Sequence, residues 1–122
     1  MKPTNKHALR IVLASGLIAF SALAVEASEG GGDASKGKAV YEGTCVFCHG
    51  KNGKGEIPGT PDFTKATGVL SQADAVLIDH ISNGFESENS SMPMPAKGGN
   101  EDLSEGDVEN VLAYLHKEFA HR

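Results

Sequence analysis

The clearest apolar pattern lies towards the C-terminus. Val108, Val111, Leu112, Leu115 and Phe119 recur at steps of three, one, three and four, the trace that the buried face of an α-helix leaves in a sequence. Ser104 and Asp107 stand ahead of this stripe at capping-box spacing. A second helix is predicted over "SQADAVLIDHISNG", residues 71–84. Leu77, Ile78 and Ile81 form its buried side, Ser71 with Asp74 resembles another capping box, and Gly84 suits the position just past its end. "DASKGKAVYEGT" predicts a shorter helix, with Asp33 or Ser35 as N-cap and a weak apolar face at Ala39 and Val40. "GKNGKGEIPGTPDF" is rich in Gly and Pro and reads as loop, and "FESENSSMPMPAKGGNED" runs for 18 residues with no period at all. No alternating strand pattern occurs. The expected class is all-α, three to four short helices with long loops and no internal repeat.

One apolar run has a different meaning. Lys2, Lys6 and Arg10 precede the uncharged stretch Ile11–Val25, and small residues follow at Ala22, Ala24 and Ala27. A basic start, an apolar run and small residues at its end make an export signal. At 15 residues the run is shorter than the ~20 that a spanning helix needs. Residues 1–27 are therefore expected to be removed, 28–34 to form a flexible linker, and 35–122 to form one domain. The expected product is soluble and periplasmic, with no stable membrane span.

Charge narrows the partners. The formal charge is −5, and it becomes −7 when Lys2, Lys6, Arg10 and Glu26 leave with the signal. Residues 66–122 hold ten acidic side chains against three basic ones, which argues against nucleic acid or an anionic membrane surface as a partner.

Residues 45–49, "CVFCH", hold both cysteines of the chain. A disulfide across two intervening residues would close too short a loop to stabilise much. Thiol exchange of the thioredoxin kind needs a βαβ setting, and structural zinc needs four ligands, for which no second cysteine pair exists. With a histidine directly behind, C-x-x-C-H reads as an attachment site for c-type haem. Each thiol adds across one porphyrin vinyl group. Two intervening residues let a single turn reach both vinyls, and the next residue points its imidazole at the iron. Cys45 and Cys48 are thus the expected covalent anchors and His49 the expected iron ligand. A large apolar ring also supplies the core that a chain of about 95 residues without tryptophan is short of.

The other face of the iron has two candidates, Met92 and Met94, each followed by proline in "SMPMPAKGG". His/Met ligation raises the potential and suits electron transfer, and proline stiffens the loop that carries the thioether. His80, at the border of the apolar face of its helix, reads as a half-exposed helix histidine. His116 and His121 read as solvent-facing.

"GKAVYEGTCVFCHG", "MPAKGGNEDLS" and "VENVLAYLHK" in combination resemble the class I c-type cytochromes of the small bacterial monohaem kind, over nearly everything from Asp33 to Phe119. The resemblance implies a cytochrome c-like fold wrapped around one covalent haem c. It implies Met94 as the distal ligand with Met92 as the fallback, and a proline carbonyl, that of Pro61 or of Pro58, accepting a hydrogen bond from His49. It also places Gly37 and Tyr41 where the first helix crosses the last, near Val111 and Tyr114, and makes Tyr41 part of the haem environment. The chain departs from the family in lacking tryptophan and in its long acidic "FESENSS". The expected function is electron transfer to redox proteins that dock transiently at the haem edge, with Lys51, Lys54 and Lys97 nearby, and no enzymatic turnover. Two alternatives are a dedicated haem subunit of a periplasmic dehydrogenase or oxidase, and a gas- or peroxide-binding protein with a labile methionine.

Overall fold

The computed structural model describes residues 31–88 and 90–120; the expected signal over 1–27, and His121, lie outside them. The fold opens at Asp33. Its carboxylate accepts from the backbone N–H groups of Ser35 at 2.8 Å and Lys36 at 3.4 Å, capping α1 (Ala34–Val40). Its own N–H donates to Asn110 Oδ1 at 2.6 Å. Residues ahead of 35 are thus already held against α4 (Glu105–Phe119). Where α1 crosses α4, Gly37 is buried and a Cβ on it would fall on the Asn110 carbonyl. Only glycine allows two backbones that close.

The first helix does not end where its pattern does. Tyr41–Cys45 continues as a π turn, with the Val46 N–H bonding the Tyr41 carbonyl five residues back, and α2 (Val46–His49) follows directly. Such turns are rare in helices, and those that occur are frequently at functional sites. Here it delivers the first cysteine. Gly50, at φ 78°, then turns the chain out of the helix.

α3 (Asp74–Asn83) forms as predicted, with Gly84 at φ 83° past its end, but its expected capping box does not. Ser71 lies in a 3₁₀ turn, Val69–Ser71, and its hydroxyl donates to the Gly68 carbonyl at 2.7 Å instead. The local turn takes that hydroxyl in place of the helix, and competition of this kind is usual for serine. The Ser104–Asp107 box is complete. The Ser104 N–H donates to Asp107 Oδ2 at 2.9 Å, and the Asp107 N–H donates to Ser104 Oγ at 3.2 Å.

All five stripe residues of α4 are buried. Val111, Leu112, Leu115 and Phe119 meet Tyr41, Phe63, Leu70 and Leu77 in the core. Phe119 is wholly buried and lies 5.5 Å from the ring of Tyr41, 5.9 Å from Phe63 and 5.9 Å from Tyr114, centroid to centroid. Among the described residues the architecture is all-α with no strand; a single antiparallel bridge pairs Phe85 with Met94. A second 3₁₀ turn, Ala96–Gly99, ends the methionine loop. No described helix is long and apolar enough to cross a membrane.

Candidate haem-binding site

A mostly apolar cavity of about 270 Å³ opens between α2, α3, α4 and the methionine loop. Cys45, Cys48, His49, Tyr41, Pro61, Met92 and Met94 all line it, so the structure brings these sequence candidates to one place, while Pro58 is not among the lining residues. Val111, Leu112 and Leu115 of α4 and Leu77 of α3 complete its apolar wall.

Both thiols are free and partly buried. Burial, with a smaller contribution from Cys48, pushes the Cys45 thiol up to about 11. It is therefore a neutral thiol at pH 7, the opposite of the lowered pKa that marks exchange-active cysteines. Among the described residues no group of three or more His, Cys, Asp or Glu side chains is placed to hold a bare metal ion.

His49 is buried, with 7% of its surface exposed, and its Nδ1 has no hydrogen-bond partner. Burial pushes its pKa down to about 4, so the ring is neutral at pH 7, as a ligating imidazole must be. The ring is stacked on Phe63 at 4.6 Å and 13°. Pro61 lines the cavity but receives no hydrogen bond from His49. In its place the Phe63 stack sets the plane of the imidazole. Phe63 is the only aromatic residue between His49 and α3, and that was the one signal in the sequence that pointed to it.

The chain behind the motif folds back to hold it. The Glu56 N–H donates to the Cys48 carbonyl at 2.8 Å and the Gly55 N–H to the His49 carbonyl at 3.0 Å. Tyr41 donates its hydroxyl to the Gly50 carbonyl at 2.7 Å. It is 1% exposed, and burial raises its pKa. Tyr41 thus belongs at once to the α1–α4 crossing and to the cavity wall.

On the opposite side the Phe85 N–H donates to the Met94 carbonyl at 3.0 Å, and the Met94 N–H to the Phe85 carbonyl at 2.8 Å. Met94 is half-buried, while Met92 is 52% exposed. His80 also lines the cavity, its ring stacked on Phe85 at 4.1 Å. Periodicity could not show this, because α3 presents His80 at the edge of its apolar face. His116, expected to face solvent alone, lies 2.9 Å from Asp74 Oδ1 and ties α4 to the start of α3. Phe47, between the two cysteines, is 82% exposed.

The donor set fits a flat porphyrin. An apolar cavity meets two free thiols separated by two residues, and a neutral imidazole with an unpartnered Nδ1 follows them.

The family described as "Cytochrome C oxidase, cbb3-type, subunit III" matches residues 32–115. The chain is 38% identical over 88 residues to a cytochrome c-555 of Prosthecochloris aestuarii, covering 70% of this chain and 88% of that one. It is 32% identical over 101 residues to a cytochrome c-555 of Chlorobaculum tepidum, covering 83% and 91%. It is also 34% identical over 89 residues to a thiosulfate dehydrogenase of Stutzerimonas stutzeri, covering 72% of this chain but only 28% of that enzyme.

Proposed function

We propose that this chain, which belongs to the c-type cytochrome family, is an exported electron carrier with one covalent haem c. When bound, the iron supplies a one-electron couple between its ferrous and ferric states. The carrying observation is that Cys45, Cys48, His49 and Met94, separated by up to 49 positions, line one apolar cavity. Cys45 and Cys48 would hold the ring by thioether bonds, and His49 and Met94 would ligate its iron. With His49 and Met94 both engaged, no open position would remain for a substrate, and the chain would pass electrons without turnover of its own. The apolar wall excludes water, which favours the less charged ferrous state.

Partners dock at the edge where the cavity reaches the surface. Lys51, Lys54 and the aromatic Phe47 are exposed and stand next to the motif in the chain. Lys97 lies on the loop side, its Nζ 3.5 Å from the Glu101 carbonyl. Small, weak interfaces suit redox encounters. Residues 1–27 act as the export signal, which places the carrier in the periplasm.

A second reading has support of its own. The thiosulfate dehydrogenase match covers about a quarter of that enzyme, so a domain of this kind also occurs as one module of a larger protein. A dedicated subunit would co-purify with a larger partner, and a free carrier would not.

Absorption spectra of the exported protein, oxidised and reduced, with and without carbon monoxide, test the proposal. A sulfur-to-iron charge-transfer band and no response to carbon monoxide are expected. No band together with ready carbon monoxide binding would replace the carrier with an open, gas-binding iron. Met94→Leu should abolish the band and Met92→Leu should leave it; the reverse pattern would move the ligand to Met92.

A further inference from the structure

We infer that the C-terminal end of α3 is a clamp on the methionine loop, in which His80, through its stack on Phe85, positions Met94 over the cavity. This rests on the reading of Met94 as the distal ligand. Three contacts converge there. The His80 and Phe85 rings stack at 4.1 Å and 29°. Phe85 and Met94 exchange both of their backbone hydrogen bonds, at 3.0 and 2.8 Å, in the only β-bridge among the described residues. Gly84 closes the corner at φ 83°, where a Cβ would stand 2.7 Å from the Met94 carbonyl oxygen and 2.9 Å from the Ala96 nitrogen.

The rest of the loop is held more loosely. Ser91 Oγ lies 3.4 Å from the Pro58 carbonyl, and at the far end Asn100 Nδ2 lies 3.4 Å from Thr44 Oγ1. Neither contact touches residue 94. The Met94 backbone is therefore fixed through Phe85, and Phe85, itself 46% exposed, is fixed through His80. A thioether is a weak, neutral ligand, and the fraction bound depends on how far its loop is already in place. His80 is a positioning residue in this arrangement and need never touch the iron.

The test compares the holoprotein with its His80→Gln, His80→Phe and Phe85→Leu variants. Three readouts apply: hydrogen exchange at the Met94 and Phe85 amides, the rate of carbon monoxide binding to the reduced protein, and the melting of the charge-transfer band against that of far-UV circular dichroism. Losing one aromatic stack should speed Met94 exchange and carbon monoxide entry roughly two- to tenfold. The band of His80→Gln should melt ahead of the helices, His80→Phe should restore wild-type behaviour, and adding His80→Gln to Phe85→Leu should change little further. Wild-type exchange in His80→Gln, or a His80→Phe variant as fast as His80→Gln, would overturn the clamp. If the wild-type protein shows no charge-transfer band, the ligand reading fails, and the amide exchange still decides whether the clamp exists.

Discussion

At the crossing of α1 and α4, Gly37 has no room for a methyl group, and Phe119 is wholly buried among Tyr41, Phe63 and Tyr114. In the methionine loop, from Phe85 to Asn100, no described residue is fully buried, and Met94 is held mainly by one backbone pair and one ring stack. Both regions face the same cavity. The crossing fixes Cys45, Cys48 and His49 with the stability of the whole core, whereas the loop fixes Met94 with local contacts that can open alone. On the proposed ligation, one face of the iron would be held by the fold and the other by a latch. The comparison predicts that damage to the crossing costs the whole protein and damage to the loop costs only the sixth ligand.

The largest test is Phe119→Ala, which should destabilise by about 3–5 kcal/mol. Thermal unfolding should then carry the helices and the charge-transfer band down together; a band that outlasted the helices would break the comparison. Gly37→Ala should cost about 1–3 kcal/mol by overpacking, again with coincident transitions by circular dichroism and absorbance. Gly84→Ala makes the opposite case. A side chain at positive φ costs about 1–2 kcal/mol, and the loss should fall on the loop, so that carbon monoxide enters a protein whose helices remain intact.

Ser104→Ala removes a cap and should cost about 1 kcal/mol, read as fraying of α4 by amide exchange with the band unmoved. The acid limb of stability follows the same caps. Hydrogen bonds from Ser104 hold the Asp107 carboxyl below its ordinary 3.8, and bonds from Ser35 and Lys36 do the same for Asp33. A depressed folded pKa gives stability that is present above the unfolded value and lost as pH falls through the folded one. The stability that these two caps supply should therefore hold down to about pH 4 and decline below it, read as the loss caused by Ser104→Ala in denaturant titrations shrinking at lower pH. The smallest effect belongs to His116→Gln. Its contact with Asp74 is half-exposed and worth less than about 1 kcal/mol, and a larger loss in denaturant titration would show that α3 depends on α4 more than the geometry implies.

Much of the frame was legible because its signals are local. The α4 stripe, the Ser104–Asp107 box and Gly84 each depend on neighbours within one or two turns, and all three stand in the structure as predicted. Ser71 shows the limit of such signals: its spacing suited a capping box, but a competing turn four residues long took its hydroxyl. The π turn was invisible because one extra residue per turn leaves no mark on a weakly apolar face.

By itself the sequence determined the haem-attachment motif and the helices around it. Two thiols and an imidazole within five residues have their geometry set by covalent connectivity, and helical stripes and caps have theirs set by the pitch of the backbone. Only the tertiary structure decided how the ring of His49 is held, that His80 turns towards the cavity, and which backbone holds Met94. Those are contacts of Phe63, Phe85 and Met94 across loops. Their positions depend on where separately encoded elements pack, and no spacing along the chain carries that information.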